Sequence, residues 1–320
     1  MPRLFYSALL GGLLACTLFA ALLFVATEAH ATTPTPRSPA GLPAAIEPFA
    51  PYVGQTACDP TSRPGTVKLA RLLAATYRGF GGTSWASTYA CGTDGSQSEH
   101  YEGRAIDWMV SVRNKPQLAA ARSAINWLLA TDAAGNRAAM ARRLGVMYLI
   151  FDNRMWGSWD GRWHDYNGCS HRTARADDNA CHRTHVHISL SWNGAMGRTS
   201  FWTDQVWPTD FGPCRPSDLN WAGRYTKPNY AGCPQYPAVR APKGASAVKK
   251  ALVAYSGAAV RRGWSGPAVT AVQRALKVPA TGGFGTATLM AVRSFQGRHH
   301  LTVTGGMNQP TWRALLAATR

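Results

Sequence analysis

At 320 residues the chain is long enough for one sizeable domain and one small one. Its 46% hydrophobic and 16% charged residues exclude a disordered polymer. The net charge of +18, from 34 Lys and Arg against 16 Asp and Glu, favours a polyanionic partner: nucleic acid, a membrane surface or an anionic cell wall.

The N-terminal segment chooses among these. Met1-Pro2-Arg3 gives a short basic start, an apolar run covers residues 4–25, and Ala29-His30-Ala31 supplies the small-x-small pattern a signal peptidase accepts. Residues 1–31 are expected to be a cleaved signal peptide, leaving a secreted or envelope-bound chain that begins near Thr32. The alternative is an uncleaved membrane anchor, because about 20 apolar residues span a bilayer. Either way the rest of the chain lies outside the cytoplasm. Nucleic acid falls away as a natural partner, and membrane contact is confined to the N-terminal segment.

Residues 32–50, rich in Pro, Thr and Ala, read as a linker. A first domain is expected over residues 51–237, a second linker over 238–252 and a final domain over 253–320. Beyond Cys16 there are six cysteines, an even number suited to an oxidising compartment. No C-x-x-C spacing occurs, which argues against a cysteine-built zinc site. Pairing in chain order is expected (Cys58 with Cys91, Cys169 with Cys181, Cys214 with Cys233), since each pair closes a local loop.

In the first domain, helices are expected over residues 66–77, 115–131 and about 136–143, the last ending at Gly145. Strands are expected over 105–112, 146–151 and 185–192. In the last of these, His185, His187, Ser189 and Ser191 share one face and Val186, Ile188, Leu190 and Trp192 the other. The pattern predicts an α+β domain with a small antiparallel sheet. Residues 153–179 read as a long loop bearing Trp156, Trp159, Trp163 and Tyr166, which either line a groove or pack the loop. In the final domain, residues 280–288 recur as residues 303–311, each a Gly-rich turn entering a helix. Helices over 267–276, 287–298 and 310–318 make an all-α, three-helix unit.

The chemistry concentrates in Ser98-Glu99-His100-Tyr101-Glu102-Gly103-Arg104-Ala105-Ile106-Asp107 and in His185-Val186-His187. A catalytic zinc takes three protein ligands and keeps a fourth position for water, and His with carboxylate suits it. Seven residues let His100 and Asp107 converge, and H-x-H on a strand puts both imidazoles on one face. One can bind a metal while the other stands beside it.

The ten-residue stretch matches S-x-H-x-x-G-x-A-x-D at all five fixed positions. It resembles the first metal motif of the D-Ala-D-Ala metallopeptidases and their lysostaphin-type relatives, whose second motif is a later H-x-H. The resemblance implies a Zn2+ ion held by His100, Asp107 and His187, with His185 as acid/base partner. Carboxypeptidase-type members carry a Glu three residues before the last ligand, where this chain has Thr184. The domain is therefore more similar to the lysostaphin type, many of whose members are endopeptidases. Residues 267–316 resemble the three-helix peptidoglycan-binding domain, through Val272-Gln273, Phe284-Gly285, Phe295-Gln296 and Thr311-Trp312. Thr281-Gly282 and Thr304-Gly305 stand where that family usually has Asp-Gly.

Other polar residues have plainer expectations. Glu99 and Glu102 are read as solvated or paired, and Arg104 as either a substrate-carboxylate contact or a surface ion pair. His164, His171 and His182 are read as polar loop residues. The whole implies an exported zinc peptidase whose substrate and binding target is peptidoglycan, with anionic cell-wall polymers as further partners. The alternatives are a D,D-carboxypeptidase of the same family and a non-catalytic wall-binding protein with a structural metal site.

Overall fold

The computed structural model describes Met1, residues 33–91 and residues 97–320. The expected signal peptide and its cleavage site lie outside the described residues. Helix α1 (Pro64–Thr76) starts with proline at its first position, where the missing N–H costs nothing, and buries Leu69, Ala70 and Leu73. Helix α2 (Lys115–Leu129) is capped by Asn114, whose side chain accepts from Gln117 N, and buries Ala120, Ala121, Ala124, Ile125 and Leu128. Helix α3 (Ala139–Leu144) ends at Gly145 with φ 69, the left-handed cap glycine favours.

These helices cover one face of a six-stranded antiparallel sheet. Its strands are β1 (Trp85–Ala86), β2 (Ala105–Trp108), β3 (Val146–Phe151), β4 (Arg154–Gly157), β5 (Arg162–Asp165) and β6 (Val186–Leu190), in the order β1-β2-β6-β3-β4-β5. Ile106 and Trp108 of β2 join Val186, Ile188 and Leu190 of β6 in the core under the helices. The alternate residues, Asp107, His187 and Ser189, face the other way, and Asp107 pairs directly with His187. The sheet register, not chain proximity, builds this polar patch. Helices α4 (Trp192–Met196) and α5 (Ser200–Thr203) follow β6.

Several expectations need correction, among them the strand over 185–192, which runs only from Val186 to Leu190. The first half of the stretch read as a loop over 153–179 is the β4–β5 hairpin, in which Trp156 pairs with Trp163 across the strands. Neither of these four-residue strands, RMWG and RWHD, alternates apolar and polar residues. Trp156 is core and Trp163 packs against it, whereas Trp159 is exposed. The strand expected over 105–112 ends at Trp108.

Residues 33–50 carry no helix or strand but are pinned down. Glu47 accepts from Ser200 N (2.6 Å) and Ser200 Oγ (2.7 Å), and Arg143 donates to the carbonyl oxygens of Pro43 and Ala45. The three disulfides join Cys58 to Cys91, Cys169 to Cys181 and Cys214 to Cys233, as expected.

The C-terminal segment contains α6 (Ala247–Ala254), α7 (Pro267–Ala275), α8 (Thr286–Arg298) and α9 (Gln309–Ala318). Helix α6 begins inside the stretch read as a linker. Residues Thr33–Arg320 form one compact unit. The cluster around Trp312, Phe295 and Val269 takes in Cys58, Cys91 and Leu219 from earlier in the chain. No helix among the described residues is long and apolar enough to cross a membrane.

Candidate metal centre

Packing dictates the small residues of the ten-residue motif. Gly103 (φ 68) ends the 3₁₀ turn Glu99–Glu102, and a Cβ there would lie 2.0 Å from the Thr61 carbonyl oxygen. Ala105 is fully buried opposite Ser189. Ser98 caps the turn by accepting from His100 N at 3.3 Å. The turn thereby presents His100 to the face of β2 and β6 that carries Asp107 and His187.

The three side chains converge. One donor atom from each lies within 4.8 Å of the others, so the trio could hold a metal ion. Asp107 Oδ1 lies 3.1 Å from His100 Nε2 and 2.9 Å from His187 Nδ1. Burial acts to raise the Asp107 carboxyl, yet the facing imidazoles of His100 and His187 hold it well below the usual carboxylate range. The Tyr89 hydroxyl donates to Asp107 Oδ2 at 2.6 Å, with its ring 4.4 Å from that of His100.

His100 tests whether a cation fits. Both its ring nitrogens are buried without a hydrogen-bond partner, so its 3.1 Å approach to Asp107 is not aligned as a hydrogen bond. Leaving such nitrogens unpaired costs about 1–3 kcal/mol, and a cation at the shared point would relieve it. Two imidazoles and one carboxylate form a donor set suited to zinc with an open position.

His187 is fixed by residues behind it. Ser189 Oγ donates to Glu99 Oε2 (3.2 Å), so its oxygen accepts from His187 Nε2 (2.8 Å). Nδ1 faces the centre, 2.9 Å from Asp107 Oδ1, and would carry the lone pair when a cation sits between them. The Tyr148 hydroxyl also donates to Glu99 Oε2, and its ring stacks on His187 at 5.4 Å. Burial first, then Glu99, raises the Tyr148 hydroxyl well above its ordinary value, so it stays a donor.

His185 stands beside the trio, its Nε2 3.6 Å from Asp107 Oδ1. The Thr184 hydroxyl donates to Asn179 Oδ1 (3.3 Å), which leaves its oxygen to accept from His185 Nδ1 (2.9 Å). His185 Nε2 is then the free lone pair, and burial lowers its pKa. Thr184 thus orients the neighbouring imidazole. His182, read as a polar loop residue, lies in a turn 4.6 Å ring to ring from His185 and 5.6 Å from His187. Burial, reinforced by those two imidazoles, pushes its pKa down to about 3.

The remaining polar residues fall into place around this centre. Arg104 is fully buried, correcting both earlier expectations. It donates to Glu102 Oε2 (2.8 Å), Leu190 O (2.8 Å) and Val53 O (3.0 Å), with its guanidinium 4.9 Å over the Trp192 ring. Glu102 is buried and also accepts from Thr56 N and Ala57 N, both at 2.8 Å. His164 pairs with Asp160 at 2.8 Å, away from the centre, and His171 is exposed. Sequence reasoning missed the roles of Ser189, Glu99, Tyr148 and Thr184. Only the placement of Ser189 on the H-x-H face signalled one of them.

Among known families, a model for a peptidoglycan binding domain matches residues 265–315. The C-terminal segment is a peptidoglycan-binding domain. A second family model, the VldE C-terminal domain, matches residues 58–176, which include His100 and Asp107 but stop short of His185 and His187. That match says nothing for or against a peptidase. No curated protein and no solved structure matches the chain.

The peptidoglycan-binding domain is built on the internal repeat. Gln273 Nε2 donates to Gly283 O (2.9 Å) and Thr288 Oγ1 (2.9 Å), while its Oε1 accepts from Gly282 N (2.9 Å). Gln296 does the same one repeat later with Gly306 O (2.9 Å), Thr311 Oγ1 (3.0 Å) and Gly305 N (2.9 Å). Thr281 and Thr304, in place of the usual Asp, accept from Gly283 N and Gly306 N across the two turns.

Proposed function

We propose that the chain is an exported zinc-dependent peptidoglycan hydrolase that cuts amide bonds in stem peptides or their crosslinks. The observation that carries this reading is the convergence of His100, Asp107 and His187, with the His185 base beside them, in a chain bearing a peptidoglycan-binding domain.

Held by His100, Asp107 and His187, a zinc ion would supply Lewis-acid polarisation of a carbonyl and would lower the pKa of water from 15.7 towards about 7. The chain's residues supply the rest. His185 Nε2, neutral because burial depresses its pKa, takes a proton from the attacking water and returns it to the leaving amine. Such a step contributes about 10²–10⁴-fold. Thr184 and Asn179 hold that nitrogen towards the centre, while Ser189 and Glu99 hold His187 Nδ1 there. The pairing of Thr184 with His185 favours cleavage within a crosslink over terminal trimming, since carboxypeptidase-type relatives use a Glu at that position.

The test is muropeptide release from whole sacculi with zinc, analysed by mass spectrometry, beside His187→Ala and His185→Gln. Loss of crosslinked dimers with the parent alone is the expected result. Release of terminal D-Ala only would reassign the chain as a carboxypeptidase. Binding without products from any of the three proteins would overturn the enzymatic reading.

A further inference from the structure

The net charge of the chain is not spread along it. The last Asp or Glu is Asp218, so residues 219–320 carry 14 Lys and Arg and no acidic residue. Residues 1–218 hold the other 20 basic residues with all 16 acidic ones, which nearly cancel. Thirteen of the 14 basic side chains in the C-terminal stretch are exposed, Lys249 being half-buried. Two are neutralised from outside it, Arg224 by Asp59 at 2.9 Å and Arg313 by Asp218 at 2.6 Å. Arg261, Arg262, Arg274, Lys277 and Arg293 make no ion pair among the described residues.

Part of this charge is focused. The Gly305–Gly306 turn of the second repeat is flanked by two arginine side chains, Arg293 and Arg261. A Cβ on Gly305 would lie 3.1 Å from Arg293 Nε, and one on Gly306 3.6 Å from Arg261 Cβ. Arg261 also lies over the Trp264 ring, 5.5 Å from its centroid, and Arg262 is its neighbour. Self-repulsion among exposed cations opposes folding, and nothing inside the segment offsets it. An external polyanion does so, and guanidinium forks match phosphate oxygens.

We propose that residues 219–320 bind a phosphodiester-bearing polymer attached to the cell wall, with Arg261, Arg262 and Arg293 as its principal contacts. The peptidoglycan-binding domain in the same segment places such a polymer within reach, and three disulfides suit a compartment where the wall, and not nucleic acid, is the polyanion. The proposal is independent of turnover at the metal centre. It deepens only the wall-binding half of the function.

The full chain is bound to sacculi that retain their phosphodiester polymers and to sacculi stripped of them with hydrofluoric acid, at 50 and 200 mM salt. Three arginines neutralising one phosphate each correspond to a log–log salt slope of about −2, or about 20-fold weaker binding across that interval. Binding to intact sacculi is expected to show that loss and to exceed binding to stripped sacculi at low salt. Arg261→Gln with Arg262→Gln and Arg293→Gln removes the difference while leaving binding to stripped sacculi unchanged. Equal, salt-insensitive binding to both preparations would overturn the proposal. So would equal competition by a DNA duplex or by anionic lipid vesicles, which would mark an unselective polycation.

Discussion

Replacing Ser189 with alanine separates the support behind the candidate metal centre from the centre itself. Ser189 is fully buried, accepts from His187 Nε2 at 2.8 Å and donates to Glu99 Oε2 at 3.2 Å. Its loss leaves the His187 N–H without an acceptor in a dry site, a cost of about 1–3 kcal/mol. The ring is then free to exchange tautomers, turning a protonated nitrogen towards the position Nδ1 now holds. Loss of such outer support lowers metal affinity by about 10–100-fold, or roughly 1.4–2.8 kcal/mol. Competition against a chromogenic zinc chelator reads the affinity, and a thermal melt of the metal-free protein reads the stability. An affinity within twofold of the parent, in a variant that melts normally, would refute the argument that Ser189 sets the His187 tautomer.

Three further outcomes follow from the geometry. Cys169→Ser with Cys181→Ser opens a link across 12 residues and is expected to cost about 3 kcal/mol by loop-closure entropy, read as a lower denaturant midpoint under non-reducing conditions. Hydrogen bonding by Arg113, with help from Arg183, holds the Asp178 carboxyl below its ordinary value. Its stabilising contribution is therefore present above about pH 4 and lost as the pH falls through the depressed folded-state value. Asp178→Asn flattens that acid limb in pH-dependent unfolding, and an unchanged limb would remove the network from the account. Gln296→Ala and Gln273→Ala orphan matching donors and acceptors in the two repeats and should each cost roughly 3 kcal/mol. A large asymmetry between them would show that the two turns do not bear equal load.

Much of the centre was legible because its chemistry is local. The spacing of His100 and Asp107 and the single-face placement of His185 and His187 are properties of short segments. What supports them is not local. Glu99 meets Ser189 across 90 positions because β2 and β6 pair in one register, and no periodicity in either segment announces it. Arg104 reads as a surface cation until Glu102 and two carbonyl oxygens are brought around it. The β4–β5 hairpin was read as a loop because its two four-residue strands, RMWG and RWHD, are short and show no period-two alternation. Thr184 was read as a missing Glu, and its partner Asn179 lies in the loop whose path the sequence does not specify.

The peptidoglycan-binding domain shares its core with Cys58, Cys91 and Leu219, and Arg313 is clamped to Asp218. It is not a float on a leash, sweeping a volume set by linker length. Wherever that domain seats itself, the cluster of His100, Asp107 and His187 is held at a set offset and angle, as a plane iron is held by its sole. Reach along the wall is then a property of the folded body. Lengthening the exposed connection over residues 234–245 would leave this shared core in place and would not widen the area the protein can survey.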